Sequence, residues 1–145
     1  MSDSWDRTFP LVCLICSSAS GKERRFEIRV EGANQGNVWS YFAKPIPHGK
    51  RIPRGEYQAM VERIGPDIWQ TVVLKNGLPK RYHGFGISRT LIPIIAGHRS
   101  ARIRSSRRTK GETFTPAAER VWKRMVAEGL ARYDRNEDRY FHPAD

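Results

Sequence analysis

Cysteine and histidine are scarce, and their placement excludes more than it offers. The chain has two cysteines, Cys13 and Cys16, and four histidines, His48, His83, His98 and His142, which share no short ligand spacing. One Cys-x-x-Cys pair is at most half a zinc site. The apolar run Leu11-Val12-Cys13-Leu14-Ile15-Cys16 reads as a strand with two structural cysteines. No metal site is expected. No apolar run is long enough to cross a bilayer, and the N-terminus lacks a basic stretch followed by an apolar core, so a cytoplasmic, non-membrane protein is expected. Local motifs assemble no Ser-His-Asp arrangement, no lysine-bearing P-loop and no paired metal carboxylates.

Acidic residues are missing from one long stretch: none occurs between Asp67 and Glu112. Residues 1–75 hold 11 basic and 8 acidic groups, a net of +3, whereas residues 76–145 hold 15 and 7, a net of +8. Such a half favours an anionic ligand, a nucleic acid or an acidic protein surface. Arg99, Arg102, Arg104, Arg107, Arg108 and Lys110 concentrate the charge. On a strand, Arg102 and Arg104 share a face and Ile103 takes the other. The six can form a solvated edge that resists sheet pairing, a phosphate clamp, or a contact with a nucleic-acid backbone.

What is present suffices for one domain over residues 1–145, with 1–8 as a mobile tail. Strands are expected over 9–16, 26–30 and 38–42, separated by turn clusters, with an irregular loop over 45–53. Residues 57–64 and 68–74 read as an antiparallel hairpin. Residues 87–96 form an apolar helix stopped by Gly97, with Pro93 predicting a kink or a shorter helix. A strand over 101–104 and a basic loop to 114 follow. Thr115 and Pro116 open a second helix with Ala118, Val121, Trp122 and Met125 on one face, stopped by Gly129. Residues 130–133 and 139–142 close the chain as a hairpin. The class is α+β, a twisted, mostly antiparallel sheet with two main helices in the C-terminal half. Trp39, Tyr41, Trp69 and Trp122 fall at burial periods and read as core.

The most telling motif is Arg81-Tyr82-His83-Gly84-Phe85-Gly86-Ile87. Two glycines so spaced before a helix let backbone N–H groups converge on a phosphate or pyrophosphate. His83 should point away from such a ligand, and Arg81 can equally pair with a surface carboxylate.

Strand, R-x-x-G-x-G loop, helix, strand, helix, Gly-Leu and closing hairpin, in that order, resemble the second half of the GNAT acyltransferase superfamily. The likeness spans roughly residues 68–142 and is nearest in style to short GNAT-like proteins of phages and mobile elements. It rests on Arg81, Gly84 and Gly86, on Ala118-Glu119-Arg120-Val121-Trp122, and on Gly129-Leu130. The resemblance implies acetyl-CoA or a related acyl-CoA, its pyrophosphate held by Arg81, Tyr82, His83, Gly84, Phe85, Gly86 and Ile87. It implies a pantetheine arm along the freed backbone of residues 71–74, Val73 and Leu74 included, and an acceptor amine on a protein or nucleic acid. Three features depart from the family: Pro93, a strand-rich first half where two helices usually cover the acceptor, and Trp122 where a tyrosine acid is frequent. Glu62, with Glu56 nearby, is the candidate base. Tyr133 is the candidate acid, with Tyr140, or Ser105 and Ser106 through water, as substitutes. The alternative is a non-catalytic, GNAT-shaped basic protein of phage or plasmid origin that binds nucleic acid or an acidic protein.

Overall fold

The structure, a computed structural model, describes residues 13–46, 54–107 and 114–145. The expected tail, the start of the first strand, most of the loop over 45–53, and Arg108 and Lys110 lie outside the described residues. The strands are β1 (Cys13–Ser17), β2 (Glu23–Ala33), β3 (Val38–Pro45), β4 (Tyr57–Gly65), β5 (Ile68–Asn76), β6 (Arg102–Arg104), β7 (Arg132–Asp134) and β8 (Arg139–His142). The helices are α1 (Ile87–Arg99), between β5 and β6, and α2 (Pro116–Ala127), between β6 and β7. The class is α+β, with the eight strands in one sheet in the order β1-β2-β3-β4-β5-β6-β8-β7. Every pairing is antiparallel except β5 with β6.

Alternation builds the first five strands. In β2, Phe26, Ile28 and Val30 are buried while Arg25 and Glu27 face outward. The strand runs beyond the expected 26–30 because eight of its residues find partners on β3, out to Gly32 opposite Trp39 and Ala33 opposite Val38. Glycine at 32 is a packing requirement, since a Cβ there would stand 2.6 Å from the Trp39 ring. Cys16 is buried and Cys13 half-buried; three residues apart on a strand, they point to opposite faces, and both thiols are free.

Helix α1 runs unbroken to Arg99, past the expected stop at Gly97 and with Pro93 inside it. A proline in a helix costs about 3 kcal/mol or more. Ile87, Leu91, Ile92 and Ile95, buried on both sides of it, offset that at about 1.5–3 kcal/mol each. Helix α2 starts as its sequence dictates: Thr115 Oγ1 accepts from the Ala118 amide at 3.1 Å and Pro116 holds the first turn. It ends where Leu130 N–H reaches Met125 C=O at 2.8 Å around Gly129, whose φ is +77°.

Both helices cover one face of the sheet. There Phe26, Tyr41, Leu91, Ile95, Ile103, Trp122 and Met125 form one core, with Trp122 stacked on Tyr140 at 6.0 Å between centroids. Tyr41, Trp69 and Trp122 are buried and Trp39 half-buried. The opposite face carries no helix among the described residues.

Candidate functional site

Strand β5 belongs fully to the sheet only over its first part. Ile68, Trp69 and Gln70 pair with Arg102, Ile103 and Arg104, and the ladder stops there. Buried Ser105 explains the stop: its N–H bonds the Tyr140 carbonyl at 2.9 Å and its Oγ accepts from the Tyr140 amide at 2.9 Å, drawing the chain toward β8. Two contacts mark the closed end of the gap, Ser106 Oγ to the Thr71 carbonyl at 3.2 Å and Thr71 Oγ1 to the Arg104 carbonyl at 3.4 Å. Beyond them the edge of β5 facing α2 borders a cavity of about 480 Å³ lined by Thr71 through Asn76, Ser106, Phe114, Ala118 and Trp122. Val73 and Leu74, predicted to meet a pantetheine arm, both line it.

A second cavity, of about 450 Å³, shares Leu74, Asn76 and Ala117 with the first. Gly84, Gly86, Ile87 and Ser88 contribute the start of α1 to its wall, and Arg120, Val121 and Arg124 contribute α2. Gly84 and Gly86 have φ of +81° and +67°, a region that glycine enters without strain. Among the described residues no hydrogen bond takes up the amides of Gly84, Gly86, Ile87 or Ser88, and no side chain caps the helix. These are the orphan donors of a helix N-terminus, with the positive end of its dipole behind them.

Cations surround the same opening. The Arg89 side chain passes directly over Gly86, where an added Cβ would lie 2.6 Å from Arg89 Nε. Arg89 Nη1 lies 3.4 Å from Glu128 Oε2, and Arg124 Nε lies 3.2 Å from the same oxygen. Arg120 also lines the cavity, so three arginines border the one opening. A half-exposed ion pair contributes about 0–1 kcal/mol, so Arg89 can leave Glu128 for a stronger anion at little cost. On the floor, the Tyr57 hydroxyl meets Ser88 Oγ at 2.5 Å, and burial pushes the Tyr57 phenol above its ordinary range. Burial likewise pushes the Cys16 thiol up to about 11, against the lowering effect of Thr90 and Arg89.

Of the loop residues predicted to hold a phosphate, Gly84, Gly86 and Ile87 line this cavity, while Arg81, Tyr82, His83 and Phe85 line neither cavity. Phe85 is buried in the core, and Tyr82 packs edge-on against Phe26. The exposed Arg81 lies 4.9 Å over the Tyr82 ring. The His83 ring is turned back, with Nε2 donating to the Leu78 carbonyl at 2.7 Å. Glu62 is exposed on β4, opposite Gln70, and the Tyr133 hydroxyl donates to Asp138 at 2.5 Å in the β7–β8 turn. Neither lines either of these two cavities.

Arg89, Arg120 and Arg124 were not singled out from the sequence. The signal was present as spacing: Arg89 lies three residues past Gly86, and Arg120 and Arg124 lie one turn apart on α2, a pattern that also describes any solvated helix face.

The predicted basic stretch is divided by the fold. The Arg99 guanidinium sits on the helix side, 4.2 Å over Trp39 and 5.6 Å over Trp69, with Nε donating to Tyr41 Oη at 2.8 Å. Arg102 and Arg104 point to the helix-free side, and exposed Arg107 follows β6.

No protein-family model matches the chain, and no curated protein or solved structure matches it.

Proposed function

We propose that the protein is a GNAT-like N-acyltransferase that uses acetyl-CoA or a related acyl-CoA to acylate an amine on a protein or nucleic acid. One conjunction carries the reading. Unpaired amides at the start of α1, ringed by Arg89, Arg120 and Arg124, open beside the stretch of β5 where the parallel pairing with β6 ends. A diphosphate suits the first feature and an amide-bearing arm suits the second, because an extended chain can add to a free strand edge. The element order stated for the GNAT resemblance supports the same reading.

Gly84, Gly86, Ile87 and Ser88 would hold the pyrophosphate through their amides, with the arginine trio balancing its charge. Thr71 to Leu74 would align the arm. Bound acyl-CoA would supply an activated thioester. The protein's share is then alignment of the acceptor amine, exclusion of competing water and compensation of charge. No carboxylate or imidazole stands among the described residues that line either cavity. The acceptor would react as the neutral amine, with solvent and the cavity hydroxyls of Thr71, Ser106, Tyr57 and Ser88 available to carry protons. Trp122 is no acid, because an indole N–H does not protonate a thiolate at neutral pH.

Mass spectrometry of the native protein for co-purifying CoA species, followed by calorimetric titration with CoA, tests the cofactor before any acceptor is known. CoA binding that disappears in a Gly84→Glu, Gly86→Glu variant is the expected outcome. A folded protein that binds no CoA refutes the proposal.

A further inference from the structure

The two cavities adjoin, and the far end of the second is shut. They share Leu74, Asn76 and Ala117, and from there the lining of the second runs along β5 to Thr71. Walls on three sides stop it there. In the plane of the sheet, Ser106 Oγ donates to the Thr71 carbonyl at 3.2 Å, and Thr71 Oγ1 donates to the Arg104 carbonyl at 3.4 Å. On the helix side stands the indole of Trp122, fully buried and stacked on Tyr140. On the helix-free side, Gln70 Oε1 accepts from Arg104 Nε and Arg139 Nη1, each at 2.9 Å, and Arg139 Nη1 also donates to the Ser105 carbonyl at 3.1 Å. Gln70, Thr71, Ser105, Ser106 and Arg139 are all buried. A close-packed, hydrogen-bonded wall yields to a ligand only at a cost in packing and in bonds.

We propose that Thr71, Ser106 and Trp122 form a chain-length stop that limits the acyl donor to groups of about three carbons or fewer. The inference rests on the acyl-CoA reading of the two cavities and adds to it which acyl-CoA fits.

Length decides the class. The five steps from Asn76 to Thr71, at about 3.3 Å each, span about 16 Å. The arm of CoA has about 13 bonds between phosphorus and sulfur, and an extended chain gains about 3.3–3.6 Å over three bonds, so it reaches about 15 Å. A diphosphate on the amides of Gly84, Gly86 and Ile87 lies on the near side of the junction at Asn76. The sulfur then falls beside Val72 and Val73, short of Thr71. What remains before the stop holds an acetyl or propionyl group. A longer chain meets the Ser106–Thr71 contacts and the Trp122 ring end-on.

Calorimetric titration of the native protein with CoA and with acetyl-, propionyl-, hexanoyl- and octanoyl-CoA tests the proposal. The first three should bind within about threefold of one another, and the two long donors at least about tenfold more weakly, instead of the severalfold gain per methylene that apolar cover brings. A Thr71→Ala, Ser106→Ala variant removes Oγ1 and Cγ2 of Thr71 and Oγ of Ser106. It should improve hexanoyl-CoA relative to acetyl-CoA by about fivefold or more. Hexanoyl- or octanoyl-CoA binding the native protein as tightly as acetyl-CoA overturns the stop and leaves the cofactor reading standing. A folded variant whose preference does not move also overturns it. A native protein that binds no CoA refutes the cofactor reading, and the stop falls with it. Should the variant fold poorly, the native series decides alone.

Discussion

Two glycines with nearly the same backbone provide a controlled test of the amide cradle. Gly84 has φ of +81° and Gly36 has φ of +84°, and at both positions an added Cβ meets nothing within 4 Å. Alanine at either site therefore brings left-handed strain without a clash, about 1–2 kcal/mol. In a chain of 145 residues that predicts a fall in Tm of about 2–8 °C for both variants, followed by circular dichroism. Only Gly84 lines the cavity at the head of α1, whereas Gly36 ends the short turn between β2 and β3. A methyl group at 84 keeps a diphosphate from the amides behind it, so calorimetry should show CoA affinity reduced at least about tenfold, or about 1.4 kcal/mol. Gly36→Ala should bind as the unaltered protein does. Equal CoA affinity in both variants, with equal melting, would refute the cradle, because the strain is matched and only position differs.

Glu128→Gln removes the carboxylate shared by Arg89 and Arg124. Stability should change by less than about 1 kcal/mol, and CoA should bind more tightly at low salt, as calorimetry can check. Gly55→Ala should be among the most damaging single changes, costing about 3 kcal/mol or more in denaturant titrations. Its Cβ would stand 2.2 Å from the Gly77 carbonyl, a backbone atom that cannot swing aside. A thiol reagent at neutral pH should label half-buried Cys13 in the native protein and reach buried Cys16 only on unfolding. Because the Cys16 thiol ionises near 11 in the fold, above its ordinary value near 9.0, its contribution to stability is complete below pH 9 and is lost as pH rises through 11. Acyl transfer to a lysine-like amine should climb with pH toward the amine's own pKa of about 10.4, without a plateau near neutrality that a histidine or carboxylate base would impose.

Local chemistry was legible from the amino acids alone. The Thr115 cap, the Pro116 start and the Gly129 stop delimit α2 through bonds within a few residues, and the alternation of Phe26, Ile28 and Val30 specifies a half-buried strand wherever it pairs. The same holds for the hairpin of β4 and β5 and for the glycines ahead of α1. Long-range choices were not legible. Residues 130–142 form the closing hairpin their sequence predicts, but its place in the sheet, with β8 between β6 and β7, depends on the open edge that Ile103 and Arg104 offer and that no short-range signal reveals. Pro93 predicts a broken helix only while burial against the sheet is left out. The basic stretch looks continuous along the chain, but the fold sends Arg99 to an aromatic cluster on one side of the sheet and Arg102 and Arg104 to the other. Likewise, Arg89, Arg120 and Arg124 become one group only when two helices meet. Caps, turns and alternation are written in neighbouring residues because their hydrogen bonds close over a few positions. Strand order, the gap between β5 and β6 and the grouping of charges depend on contacts between distant segments, which only the folded chain brings together.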